Sequence, residues 1–367
     1  MGLIRFVPKI FLKKGSLPIY LTFFVNSTCN LQCKHCFFWK ELEKPREKAL
    51  SLGEINKVSQ TLGQLLVLCL TGGEPFLRKD IPEIAKVFLK NNDTRILSIT
   101  TNGFNTDFIV AEATRLLQSY HGSVILEVSL DGIGEVHDKI RGVEGAFRNA
   151  VSTFIRLKEL KQRHKNLNVA IATTISKQNQ ECIVETIDYI ASLGPDAINL
   201  ALTRGGPRDS SLKQVDMKKY LYASRRLESH IKKRELKGYL NLTLGSITSA
   251  NSIAIRDWVY KTKKGKYIGE CYAGTLKGVI YSNGDVYPCE MLPKACLGNL
   301  RQEGYDFAKI WHGRKAADVR RWIKKTKCSC THEGDISVNT LFNPRILPRV
   351  LLKSAGIMAR EAIIRNK

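Results

Sequence analysis

The chain alternates short apolar runs with longer stretches in which apolar residues recur every three or four positions. Runs at 17–25, 65–70, 96–100, 124–130, 168–175 and 197–202 are aliphatic and β-branched, with almost no charge. That pattern predicts strands buried on both faces, as in a parallel sheet. Between them the period is helical. Ile84, Val87 and Phe88 share a face after Asp80 and Pro82, a suitable helix start. Phe147, Val151, Phe154 and Ile155 repeat the spacing, as do Ile183, Val184, Ile187 and Ile190, with Gly194-Pro195 as the stop. Ser51-Leu52-Gly53-Glu54 has the spacing of a capping box. Six strand–helix units in series predict a parallel sheet with right-handed crossovers. Such sheets and barrels place their chemistry at the carboxyl ends of the strands.

The turn after the first run holds Cys29-x3-Cys33-x2-Cys36. Three thiolates on one loop hold three corners of a [4Fe–4S] cube and leave the fourth iron without a protein ligand. An open position is what a catalytic metal needs. Structural zinc would want a second His or Cys pair nearby, and none follows within the next thirty residues beyond His35 inside the loop. Ten cysteines in 367 residues, with no secretory signal, argue against a disulfide framework.

From these residues the chain resembles the radical S-adenosylmethionine (SAM) superfamily, whose cluster motif is C-x3-C-x-aromatic-C, with His35 as the flat ring here. Gly72-Gly73-Glu74-Pro75, Thr100-Thr101-Asn102-Gly103, Ser129-Leu130-Asp131-Gly132 and His137-Asp138-Lys139-Ile140-Arg141-Gly142 follow in the family's order. The resemblance covers roughly 19–205 and implies an α/β fold, a partial (β/α)6 TIM-like barrel. It implies that Gly72, Gly73 and Glu74 hold the SAM amino group and that Thr101 and Asn102 lie beside its methionyl and ribose parts. Ser129 and Arg141 become candidates for its carboxylate, which an Arg fork suits. Thr174, Ile175 and Thr203 could touch adenine, although core packing explains them equally well. The implied reaction is reductive cleavage of SAM to a 5′-deoxyadenosyl radical that abstracts hydrogen from a C–H bond. The reductant would be a flavodoxin or ferredoxin. Cys69, within a strand, and Cys182, on a helix, read as small core residues.

A second cysteine set lies in the C-terminal third. Asn283-Gly284 reads as a two-residue hairpin turn that puts Cys289 at the far end of a strand, with Cys271 upstream and Cys328-Ser329-Cys330 after a basic helix. This resembles the auxiliary iron–sulfur extensions called SPASM and twitch domains. Five cysteines lie there, so one cluster on Cys271, Cys289, Cys328 and Cys330 is expected, with Cys296 left over. A twitch-like domain of hairpin and helix is therefore favoured. The C-x-C pair departs from the usual C-x2-C, and His332 is an alternative ligand. Zinc or no metal at all remains open for these thiols. The expected organisation is a basic segment 1–16, a core 17–225, an auxiliary domain 226–335 and a basic tail 336–367.

Charge adds a partner. The formal net charge of +24 calls for something anionic: a membrane surface, a substrate or, less favoured, a nucleic acid. Residues 341–367 mix Leu347, Leu351, Leu352, Ile357 and Met358 with Arg349, Lys353 and Arg360, and the start carries Arg5, Lys9, Lys13 and Lys14. Both ends read as membrane-surface segments or as a packed tail with a solvated basic face. No apolar run spans a bilayer, and thiols in ligand patterns point to a reducing compartment. The expectation is a cytoplasmic protein, peripheral at the inner membrane surface. The leading function is a radical SAM enzyme acting on a small, lipid-linked or peptide substrate; with no leader-binding segment read ahead of the barrel, peptides rank slightly lower. The alternatives are an RNA-modifying radical SAM enzyme and a non-enzymatic iron–sulfur or metal-binding protein, the latter leaving Gly72-Gly73-Glu74-Pro75 without a task.

Overall fold

A computed structural model describes residue 6 and residues 16–44, 48–239 and 242–365. The basic start read above, apart from Phe6 and Ser16, lies outside the described residues. All six anticipated strands form: β1 (Tyr20–Asn26), β2 (Val67–Gly72), β3 (Ile96–Thr101), β4 (Ser123–Ser129), β5 (Leu167–Ile175) and β6 (Ile198–Leu202). They pair in parallel in sequence order. Helices α1 (Trp39–Glu43), α2 (Leu52–Gln60), α3 (Ile81–Asn92), α4 (Thr106–Ser119), α5 (Glu135–Arg141), α6 (Ala146–Arg163) and α7 (Ile183–Ser192) fall between them. Ser51 and Glu54 make the capping box at the start of α2. Asp80 stands at the N-cap of α3, but its carboxylate pairs with Arg78 at 2.6 Å instead of capping.

Alternation along the strands sorts two environments. Leu21, Phe23, Leu68, Leu70, Leu97, Ile99, Val124, Leu126, Ile171 and Leu200 join the helices in one core. The alternate positions carry Cys69, Thr71, Thr100, Glu127, Thr174 and Asn199, all half-buried. The inner face of the curved sheet is therefore polar and partly accessible. Cys69 belongs to this side, near Glu127, Glu290 and Lys277, rather than to an apolar core.

After α8 (Met217–Lys232) and α9 (Leu242–Lys263) the chain returns to the same sheet. Strand β7 (Lys277–Ile280) pairs in parallel with β1, placing Lys277 opposite Tyr20. Strands β8 (Asp285–Tyr287) and β9 (Gly298–Asn299) follow antiparallel, completing nine strands. The turn between β7 and β8 spans four residues, 281–284, rather than two. Tyr281 N donates to Asp285 O at 2.8 Å, and Asn283 holds Asp285 N–H at 3.1 Å and the Asp285 carboxylate at 3.0 Å. Then come α10 (Phe307–His312), α11 (Arg314–Lys325), α12 (Glu333–Leu341) and α13 (Leu347–Arg365).

The first turn of α12 bridges β6, at one end of the sheet, to β7. Glu333 accepts Leu202 N–H at 3.0 Å and pairs with Arg204 at 3.1 Å. Asp335 meets Lys277 Nζ at 2.8 Å, and Glu290 meets it at 3.1 Å. Lys277 is 1% exposed. Burial works against its charge, but the two carboxylates outweigh that and keep the ammonium protonated. The carboxylates and His332 come close enough together to resemble a metal site, yet Lys277 supplies their cation.

Removing one partner of a buried ion group strands the others. Lys277→Met should lower unfolding free energy by about 3–5 kcal/mol, read from denaturant melts. The triple change Lys277→Met, Glu290→Gln, Asp335→Asn should recover much of that loss. A single variant within 1 kcal/mol of wild type, on the order of a surface substitution, would refute the clamp.

Candidate active site

The loop 28–36 leaves β1 and is held by backbone on two sides. Gln32 N donates to Arg141 O at 3.1 Å and Lys34 N to Ile140 O at 3.0 Å, docking it on the end of α5. Glu74 N donates to Thr28 O at 2.8 Å. Here Gly73 is obligatory, because a Cβ would lie 2.0 Å from Thr28 O. Gly142, at φ +74°, is equally constrained by Gln32 O at 2.8 Å from its would-be Cβ.

Cys29, Cys33 and Cys36 stand half-buried and unbridged on this loop, each within electrostatic reach of another. Burial pushes the Cys29 and Cys36 thiols up to about 11 and raises Cys33 as well, against the pull of Arg141. Arg141 Nη1 lies 3.8 Å from Cys33 Sγ, and Asn102 Nδ2 lies 3.9 Å from Cys29 Sγ. Without a metal these thiols hold their protons, and a bound metal would displace them.

Glu74 ties the strand ends together. Its carboxylate accepts Thr101 Oγ1 at 2.8 Å, Phe76 N at 3.1 Å and Asn102 N at 2.7 Å. Asn102 then reaches Asn30 Oδ1 at 2.7 Å, linking β3 to the cysteine loop. Burial raises the Glu74 carboxyl to about 7 despite these donors. Gly72 sits against Asn26, whose Nδ2 donates to Glu74 O at 2.8 Å.

Asp131 is the hub that sequence reading passed over. It is fully buried, pairs with Arg141 Nη2 at 2.7 Å and accepts Thr174 N at 2.8 Å. His35 Nε2 lies 3.7 Å away, and His137 Nδ1 accepts the Asp131 N–H at 2.9 Å. Burial penalises its charge, but Arg141 and both histidines hold the carboxyl below its usual range. Its place between Ser129 and Arg141 was visible; that it would take Arg141 Nη2 was not. Ser129 lies at the buried end of β4. Thr203 spends its hydroxyl on Ile175 O at 2.9 Å. Burial lowers His35 to about 4, so the ring is neutral, and its buried Nδ1 has no partner among the described residues. An unpaired polar atom in this position fits a ligand.

Deeper on the inner face, Glu127 Oε1 meets Asn199 Nδ2 at 2.8 Å and Tyr239 OH at 3.2 Å. Burial raises its carboxyl above the usual range. Nothing in the apolar run around Glu127 announced this group except its being the one acid there.

The C-terminal thiols also converge. Cys271, Cys289 and Cys328 pack beside Ala273 and Ile323, and Cys289 and Cys330 feel the same charges. Burial pushes Cys330 up to about 12 and Cys289 higher, while the Cys271 contact lowers Cys328. Cys296 stands apart, with its sulfur on Gly298 O at 3.6 Å and beside Tyr287. His332 Nδ1 is taken by Asp335 at 2.8 Å, where it caps α12.

Residues 24–190 match the family model of the Radical SAM superfamily, and 271–332 match SPASM, an iron–sulfur cluster-binding domain. The sporulation killing factor maturation protein SkfB of Bacillus subtilis is 31% identical over 317 residues, spanning 85% of this chain and 69% of that protein. The chain belongs to the radical SAM superfamily. The pre-heme d1 synthase of Dinoroseobacter shibae is 28% identical, over 85% of this chain and 79% of its own. Similar folds are those of Streptococcus suis SuiB bound to its precursor peptide (TM-score 0.62, 18% identity, 84% of this chain and 69% of that one) and of anSMEcpe with bound AdoMet (0.62, 16%, 93% and 100%). This radical SAM enzyme therefore uses SAM and a [4Fe–4S] cluster, and its SPASM domain brings auxiliary iron–sulfur binding. Both thiol sets are chemically suited to such clusters.

The Glu74 carboxyl makes a pH prediction. Its folded value of about 7 exceeds the ordinary 4.5, so the folded state holds this proton longer. The stability it contributes is complete below 4.5 and lost as pH rises to about 7. The loss is about 3 kcal/mol across that window. In denaturant melts of the metal-free protein, Glu74→Gln should remove that slope. An unchanged slope would show that burial does not set this carboxyl.

Proposed function

We propose that Cys29, Cys33 and Cys36 ligate the SAM-binding cluster, and that Cys271, Cys289, Cys328 and Cys330 ligate one auxiliary cluster. When bound, cluster and cofactor supply a 5′-deoxyadenosyl radical able to take hydrogen from a C–H bond. Gly72, Gly73, Asn102, Ser129 and His35 then position SAM at the mouth of the barrel. Glu74 acts chiefly by fixing Thr101 and Asn102, and Arg141 by its pair with Asp131 beside Cys33. Thr203 closes β6 on β5 and meets adenine through its surface rather than its hydroxyl. The reductant is a flavodoxin- or ferredoxin-type donor reaching the loop 28–36.

The observation that supports this reading is the gathering of two separate thiol sets, one of three on the loop after β1 and one of four beside Ala273 and Ile323 near the start of β7. For the substrate we favour a peptide, in keeping with the names of SkfB and of AlbA, the subtilosin biosynthesis protein of Bacillus subtilis, which is 26% identical over 85% of this chain and 65% of its own. The pre-heme d1 synthase supports a tetrapyrrole instead. Around the interior stand Glu127, Glu290, Glu333 and Asp335, while Lys277 and Arg204 are spent on three of them. With both cations engaged in this way, neither is free to meet the carboxylates of a tetrapyrrole.

After anaerobic reconstitution, the triple change of Cys29, Cys33 and Cys36 to Ala should abolish release of methionine and 5′-deoxyadenosine yet keep about four irons on the other site. Retained SAM cleavage would sink the assignment. Cys289→Ala should lose the auxiliary iron, whereas Cys296→Ala should leave iron content unchanged. An iron porphyrin added to the reconstituted protein should keep its absorption band unshifted; a stoichiometric shift would move the substrate to the tetrapyrrole class.

A further inference from the structure

Helix α13 has three stripes rather than two. Val350, Ser354 and Ile357, spaced i, i+4, i+7, are 1%, 2% and 5% exposed and pack on α9. Shift that set by one residue and it reads Leu351, Ala355 and Met358, all exposed. Leu352 and Ala359 adjoin them, Leu352 being 76% exposed. One more step around the helix come Arg349, Lys353 and Arg360, also exposed. Between 347 and 360 there is no acid. A helix that needed only to pack would have made its outer apolar stripe polar, since one buried stripe already anchors it.

The ground beside the basic stripe is basic too. Arg360 lines a surface groove with Arg225, Lys232 and Lys233 of α8 and the segment after it, together with Ser229 and Glu228. Glu228 is engaged by Lys232 at 2.8 Å, which leaves the groove with a cationic excess. An exposed apolar stripe running into cations is what sits at the boundary between acyl chains and anionic headgroups. No described helix is long and apolar enough to cross a membrane.

We propose that the outer face of α13 docks this enzyme on an anionic lipid surface, with Leu351, Leu352 and Met358 entering the headgroup boundary and Arg349, Lys353, Arg360 and the adjoining groove meeting phosphates. The helix lies in the plane of the surface and stays on α9 while bound. Removing it would uncover α9, so the outer stripes are the ones to change.

The test is co-sedimentation of the full chain with phosphatidylcholine vesicles, with and without phosphatidylglycerol. The wild type should pellet with the anionic vesicles and be released by salt, because exposed charge is screened over about 10 Å or less at physiological ionic strength. Leu352→Glu and the pair Leu351→Glu, Leu352→Glu should each abolish pelleting with circular dichroism unchanged. Arg349→Gln, Lys353→Gln and Arg360→Gln together should weaken binding about a hundredfold. Equal binding to neutral vesicles, or full binding by the Leu352→Glu chain, overturns the proposal. So does a self-association that Leu352→Glu disrupts without vesicle binding by the wild type, which would assign the stripe to a second copy. Retention on an RNA or heparin column with no vesicle pelleting overturns it as well.

Discussion

One buried ammonium holds the two halves of this enzyme in register. Lys277 begins β7, the strand by which the C-terminal third joins the sheet, and its charge is met by Asp335 from α12 and Glu290 from beside Cys289. Its own position opposite Tyr20 is fixed by the parallel pairing of β7 with β1. Two residues from Asp335, Glu333 grips the free edge of β6. Here one helical turn ties that edge of the sheet to β7, a strand paired with β1 and β8. Apolar packing could make such a tie as strongly. Charges with defined partners also fix which turn of α12 sits there, a kind of specificity that buried ions provide in some proteins.

At the other end, the cysteine loop depends on backbone approaching backbone. The loop is held in place because the chain at Thr28 touches Gly73 and the chain at Gln32 touches Gly142. Side chains then lock those contacts: Glu74 to Thr101 and Asn102, Asp131 to Arg141. Several groups that a sequence motif presents as ligand contacts are in this structure first of all each other's partners. Acids and hydroxyls grouped at strand ends cannot all be left waiting for a ligand, because unpaired buried polar groups are costly.

Much of this was legible from the chain. Strand order followed from apolar runs and the first thiol set from spacing, because both depend on neighbours in sequence, while the second set followed from resemblance. What was hidden depends on distant partners. The hairpin at 281–284 is longer than Asn283-Gly284 suggests because Asn283 holds Asp285 rather than forming a tight pair. Asp80 takes Arg78 instead of capping α3. Asp131, Glu127 and Lys277 sit inside apolar or motif stretches where a single charge looks incidental, and their importance appears only when sheet register brings Arg141, Tyr239 and Asp335 to them.

The Lys277 clamp makes iron supply a matter of architecture as well as chemistry. Cys328 and Cys330 immediately precede the turn that carries His332, Glu333 and Asp335, and Cys289 adjoins Glu290. Whatever fixes those thiols fixes the carboxylates that tie β6 to β7. A ligand that binds only the folded arrangement stabilises it in proportion to its occupancy. On the proposed ligand assignment, then, chains lacking the auxiliary metal would loosen first where α12 meets β6 and Lys277.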